Sequence, residues 1–159
     1  MSTLEKAVEI ASQSHAGVCD RQGQPYILHS LRVMLNVTGL AAQMVGVLHD
    51  VIEDTDVTLE DIRTAGFSEE VLTALALVTH QREMSYADYV LGCKTNAVAC
   101  QVKLSDLSEN TKLDRALMRA DRFADDTSRM QRYILSYQFL KDQLPESEYR
   151  KMMAAIEGS

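Results

Sequence analysis

With 159 residues, 46% of them apolar and 25% charged, the chain has the composition of one globular domain with room for a substantial core. Its formal net charge of −7 argues against the broad basic field that binds nucleic-acid polymers or anionic membranes, and no apolar run approaches the length of a bilayer span. A phosphorylated small molecule stays compatible, because a metal ion and a few local cations neutralise phosphate whatever the global charge.

The elements are helical in chain order. Ser2 with Glu5 has capping-box spacing, followed by Leu4, Ala7, Val8 and Ala11 at helical intervals. The N-terminus lacks the basic start and apolar block of a signal peptide. A polar loop over 17–25 leads to a helix starting near His29 and stopping near Gly39. A third helix is expected over 40–53. Thr58 with Asp61 opens a short helix closing at Gly66, Ser68 opens another through Thr79, and Ser85 caps one from Tyr86 to about Cys93. A further helix is expected over 96–110, then one over 127–144 with Met130, Ile134, Tyr137 and Leu140 in a stripe. Pro145 suits the first turn of a terminal helix. With no βαβ alternation, repeat or linker, the reading is a single all-α domain over 1–159. Cys19, Cys93 and Cys100 are odd in number and lack CxxC spacing, which fits reduced thiols and a cytoplasmic protein.

The third helix carries the chemistry. With His49 at zero on a helical wheel, Glu53 falls near about 40°, Asp50 near about 100° and Asp54 near about 140°. Ala42 and Gly46 share that sector, and the opposite arc is apolar. An imidazole and three carboxylates on one wedge of a buried helix are costly unless compensated, and a divalent cation compensates them; the two small residues would leave space for a ligand. Three acids at a helix C-terminus also oppose the macrodipole, which weakens a purely structural reading. His29 opens its helix, so its side chain can face a neighbour. Asp106 shares a helical face with Lys103 and Asn110, making Asp106 a candidate carboxylate ligand and Lys103 and Asn110 candidate phosphate or sugar contacts. His15 and His80 read as supporting groups, and Arg115, Arg119, Arg122 and Arg129 as solvated surface charges.

In order the chain shows SHAG, GQPYILH, VLHDVIEDT and VKLSDLSEN. This set resembles the HD superfamily of metal-dependent phosphohydrolases, and more closely the hydrolase domain of RelA/SpoT-type enzymes and small alarmone hydrolases. The resemblance implies an all-helical fold holding one divalent ion, Mn²⁺ before Fe²⁺, through His29, His49, Asp50 and Asp106. It implies Glu53 and Asp54 as the catalytic acids, Asn110 as a nucleotide contact, and removal of a 3′-diphosphate from a (p)ppGpp- or (p)ppApp-type alarmone. Two positions depart from the family pattern. Of the paired basic residues before the GxPYIxH segment only Arg21 is basic, its neighbour being Asp20, and Leu107 stands where Arg or Lys follows the metal-binding Asp. The departures fall on base recognition, so an HD phosphatase or phosphodiesterase acting on another phosphorylated small molecule, or a non-catalytic nucleotide sensor, is the competing expectation. A homo-oligomer is compatible with the sequence.

Overall fold

The computed structural model describes residues 1–158 and is all-α among them, with one isolated bridge between Cys19 and Pro25. The helices are α1 (Leu4–Ser14), α2 (Ile27–Leu35), α3 (Leu40–Leu48), α4 (Val51–Asp54), α5 (Leu59–Thr64), α6 (Glu69–Val78), α7 (Tyr86–Lys94), α8 (Ala97–Asn110), α9 (Phe123–Leu140) and α10 (Glu146–Glu157), with a 3-10 turn at Ala120–Arg122. Their boundaries follow local chemistry. Thr58 and Asp61 exchange side-chain and backbone bonds in a complete capping box, and the side chains of Ser68, Ser85 and Asn96 accept from amides of the next turn. At α1 the cap is Thr3, not Ser2. The Ser2 amide donates to Gly66 O at 2.9 Å, and Thr3 Oγ1 accepts from the Lys6 amide instead.

Helix α3 runs through the middle of one hydrophobic core and packs on α1, α2, α6 and α8, while α9 and α10 close the far side against α7 and α8. Val45, Val47, Leu48 and Val51 are fully buried there. The expected continuous helix over 40–53 breaks at His49–Asp50, because the His49 ring Nδ1 donates to Gly46 O at 2.8 Å and the chain turns before α4 begins. Gly46 and Ala42 do not open space for a ligand. A Cβ on Gly46 would stand 3.1 Å from Met34 Cα and 3.3 Å from Met34 N, so the gap is filled by the backbone of α2, and Ala42 belongs to the core. In the stripe of α9, Ile134 is exposed while Met130 and Leu140 are buried.

A second tie joins α2 to α8. Glu109 is fully buried and accepts from Arg32 Nε at 3.0 Å, Asn36 Nδ2 at 3.1 Å and the Lys112 ammonium. Burial pushes its carboxyl up, but Lys112 and Arg32 outweigh that and hold it below the usual range. The stabilisation is present above the unfolded-state value of about 4.3 and is lost as pH falls through the depressed folded value. Urea midpoints of Glu109→Gln should therefore change less than wild type between about pH 5 and pH 3.

Close packing at Gly46 gives a second expectation. Gly46→Ala gains about 1 kcal/mol of helix propensity but forces Cβ against an unyielding backbone, costing about 1–3 kcal/mol. A lower urea midpoint with unchanged slope is the expected net result.

Candidate metal centre and adjoining cavity

Three segments deliver the site. His29 sits in the first turn of α2, His49 and Asp50 occupy the bend between α3 and α4, and Asp106 lies within α8. His29 Nε2 stands 3.2 Å from Asp106 Oδ1 and 3.7 Å from Asp50 Oδ2, and His49 Nε2 stands 2.9 Å from Asp50 Oδ2 and 3.6 Å from Asp106 Oδ1. Ligand atoms of His29, His49 and Asp106 all fall within 4.8 Å of one another. Donors sharing an ion about 2.1 Å away lie roughly 3.0–3.4 Å apart, so the spacing suits a divalent cation. Asp50 stands beside this trio, with Oδ2 accepting from the Tyr26 hydroxyl at 2.6 Å.

The donor chemistry is informative. A carbonyl only accepts, so the 2.8 Å contact to Gly46 O puts a proton on His49 Nδ1. Nε2 then faces two carboxylates, and it is buried with no hydrogen-bond partner. Positive charge is needed at that point, from a cation or from a second proton on the ring. Burial disfavours that second proton, yet Asp50 and Asp106 overcome it and raise the His49 pKa well above its ordinary value. Asp106 answers in the opposite sense. Burial would raise its carboxyl, and Lys103, His29 and His49 hold it well below the usual range.

Lys103 and Asn110 were expected to reach a phosphate or sugar. Both line the cavity, but both are engaged by Asp106: Lys103 Nζ lies 2.8 Å from Oδ2, and Asn110 Nδ2 donates to Oδ1 at 2.7 Å. The buried ammonium also lies 5.0 Å from the Tyr89 ring centre and 5.6 Å from that of Tyr86. Lys103 thus fixes one oxygen of Asp106 and leaves the other towards the imidazoles.

Glu53 and Asp54 follow on α4 and line the same cavity. Glu53 Oε2 accepts from the His80 amide at 3.0 Å, which orients it from the end of α6. Partial burial, then the charges of Asp50 and Glu53, raise the Asp54 pKa.

The cavity has a volume of about 390 Å³, and Arg21, Arg115, Arg129 and Tyr133 line it together with Glu53, Asp54 and, from the cluster, His29, Asp50 and Asp106. Sequence reasoning placed Arg115 and Arg129 on the solvated surface. Their side chains are only 13% and 10% exposed, because Asp20 holds Arg115 at 3.1 Å and Asp126 holds Arg129 at 2.7 Å. Arg21 lines the cavity without an ion pair among the described residues. Of the two departures, Leu107 is a fully buried core residue. Tyr26 was missed, although its place three residues before His29 puts it one helical turn away.

This all-α arrangement, with an adjacent His-Asp pair between two helices and a His and an Asp from flanking helices, is that of an HD-type domain. No family model matches the chain. A guanosine-3′,5′-bis(diphosphate) 3′-pyrophosphohydrolase of Borreliella burgdorferi is 42% identical over 81 residues, 48% of this chain and 12% of that protein. The protein of the same name from Aquifex aeolicus is 30% identical over 121 residues, 69% of this chain and 17% of its own length. The chain thus spans well under a fifth of these relatives. A solved structure described as a metazoan ortholog of SpoT that hydrolyses ppGpp superposes with a TM-score of 0.65 at 20% identity, covering 98% of this chain and 94% of that one. In sequence the chain is thus similar to a short part of proteins named as guanosine-3′,5′-bis(diphosphate) 3′-pyrophosphohydrolases, and in fold to the SpoT ortholog.

Metal titration tests the centre. Saturating Mn²⁺ at about a hundredfold over Kd should stabilise the wild-type fold by about 2.7 kcal/mol and His49→Ala not at all. Lys103→Met should bind Mn²⁺ about 10–100-fold more weakly in calorimetry, as loss of a ligand's supporting partner does elsewhere.

Proposed function

We propose that the chain is one HD-type hydrolase domain acting as a metal-dependent nucleotide 3′-pyrophosphohydrolase on (p)ppGpp- or (p)ppApp-type alarmones. The observation that carries this reading is the convergence of His29, His49, Asp50 and Asp106 beside Glu53 and Asp54 in a cavity that also presents arginine. The names of the sequence relatives support the substrate class. His29, His49, Asp50 and Asp106 would hold one divalent ion, and two imidazoles with two carboxylates suit Mn²⁺ or Fe²⁺. Such an ion polarises a phosphoryl oxygen and acidifies water.

The protein's own groups supply the rest. Glu53, held by the His80 amide, orients the attacking water and accepts its proton. The water oxygen bonds to the phosphorus carried on the 3′ oxygen, the P–O3′ bond breaks, and pyrophosphate leaves. Asp54, whose carboxyl retains its proton to higher pH than an ordinary aspartic acid, protonates the departing 3′ oxygen. Arg21 contributes positive charge facing the ligand. Free Cys19, Cys93 and Cys100 fit work in a reducing compartment such as the cytoplasm, and no helix among the described residues is long and apolar enough to cross a membrane.

Mn²⁺-loaded protein should release pyrophosphate from guanosine or adenosine 3′-diphosphate nucleotides. Glu53→Gln should lower kcat by about 10²–10⁴-fold while metal content stays at the wild-type level. Absence of release from both nucleotides with metal bound would overturn the substrate assignment. Turnover of phosphomonoesters or cyclic nucleotides instead would place the chain in another HD activity class, and tight nucleotide binding without any turnover would make it a sensor.

A further inference from the structure

Asp20 looks from sequence like a repulsive charge in the substrate loop, but the structure gives it a different occupation. Its Oδ1 accepts from the amides of Gln22 and Gln24, each at 2.9 Å, and its Oδ2 takes Arg115 Nη1 at 3.1 Å. The Asp20 amide donates to Gln24 O at 2.8 Å, the Tyr26 amide donates to Val18 O at 2.9 Å, and Gly17 and Gly23 supply the positive φ angles of the tight loop. Gln22 Nε2 adds a 2.6 Å bond to Arg115 O. Two segments more than ninety residues apart in sequence are thereby joined by a side-chain ion pair and a side-chain-to-backbone bond. The ion pair is sheltered, with side chains 5% and 13% exposed, so it is far less screened than a surface pair.

Arg21 sits between the two anchored residues, Asp20 and Gln22, and lines the cavity without an ion pair of its own. Asp20 therefore does two things at once. It neutralises Arg115, and it fixes the backbone on either side of the cation left for a ligand.

We infer that Asp20 and Arg115 are positioning residues: their ion pair clamps the 17–25 loop to the segment around 115 and so presents Arg21 to the nucleotide, governing affinity and leaving the chemical step to the metal centre and acids. The inference rests on the hydrolase reading for its substrate, and on the loop geometry alone for the clamp. It also turns the Asp20 departure into a paired feature, in which an acid on one loop is matched by an arginine on the other.

The test uses the metal-loaded full chain. Asp20→Asn keeps an oxygen for the Gln22 and Gln24 amides and removes the negative charge that pairs with Arg115, whereas Arg115→Met removes the other partner without touching the loop. Each should raise KM for a guanosine 3′-diphosphate nucleotide about tenfold with kcat held within about twofold, and the double variant should be no worse than either single one. In Arg115→Met, hydrogen exchange at the Gln22 and Gln24 amides should quicken about tenfold although the substitution lies on a distant segment. Unchanged exchange and unchanged KM in Arg115→Met would overturn the clamp, as would additive effects in the double variant or a fall in kcat at constant KM. Exchange that quickens in a wild-type background inactive on every nucleotide would instead sustain the clamp and overturn the hydrolase reading. If Asp20→Asn does not fold, Arg115→Met and Arg115→Lys carry the test, with Lys restoring part of the affinity.

Discussion

Two carboxylates and two imidazoles are forced to one point in the interior, and most of the architecture follows from what that demands. Asp106 lies within α8, Asp50 is at the bend after α3, and neither can be left without positive charge at that depth. The protein supplies one permanent cation, the buried Lys103 ammonium, and spends it on a single oxygen of Asp106. The remaining oxygen and the two Nε2 atoms are left facing each other, so the charge balance closes only with a further cation or an added proton. Protein groups alone complete this centre only if an imidazole takes a second proton, and a divalent cation is the alternative that the donor set fits.

Holding such a centre requires rigid delivery of each donor, and Gly46 connects that requirement to the packing of the fold. Its missing Cβ lets α3 approach the backbone of α2 at Met34, and its carbonyl receives the His49 ring proton. The same residue therefore sets the separation of the helices bearing His29 and His49 and fixes the tautomer that aims Nε2 inward. On the other side of α2, the buried Glu109 cluster fixes its distance from α8, the helix of Asp106. Core packing and site geometry are here one constraint.

This explains which parts were legible in the sequence. Capping residues such as Thr58, Ser68, Ser85 and Asn96 act locally, so the helices they cap were read within a residue or two, whereas the helix expected over 127–144 spans Phe123–Leu140 and has no side-chain cap to mark its start. The wheel brought His49, Asp50, Glu53 and Asp54 together correctly but treated 40–53 as one straight helix. It could not show that a side-chain proton would take the Gly46 carbonyl and bend the chain. Small residues on the wedge were read as room for a ligand because a wheel contains no neighbouring helix. Arg115 and Arg129 were read as solvated surface charges, and the structure shelters both. Asp20 reaches Arg115 from a distant loop and carries no periodic signal, whereas Asp126 lies three residues before Arg129 on α9, a helical spacing that was open to reading from the sequence.

Charge accounting at the cavity resolves the tension between a chain of net charge −7 and an anionic ligand. The global charge bears on solubility and long-range encounter, whereas binding is decided over a few ångströms. Within the cavity, Arg115 pairs with Asp20 and Lys103 with Asp106, while Asp126 is shared between Arg129 and Arg119 and so leaves one positive charge over. Left over are Arg21 and the surplus charge shared by Arg119 and Arg129 on one side, and the Glu53 and Asp54 carboxylates with the electron-rich centre on the other. A nucleotide carrying phosphate would meet positive charge from the arginines and from an ion held at the centre. Recognition then depends on how firmly the loop of Arg21 is held relative to the centre, and that loop is anchored by Asp20, the acidic residue that the net charge alone would count against binding.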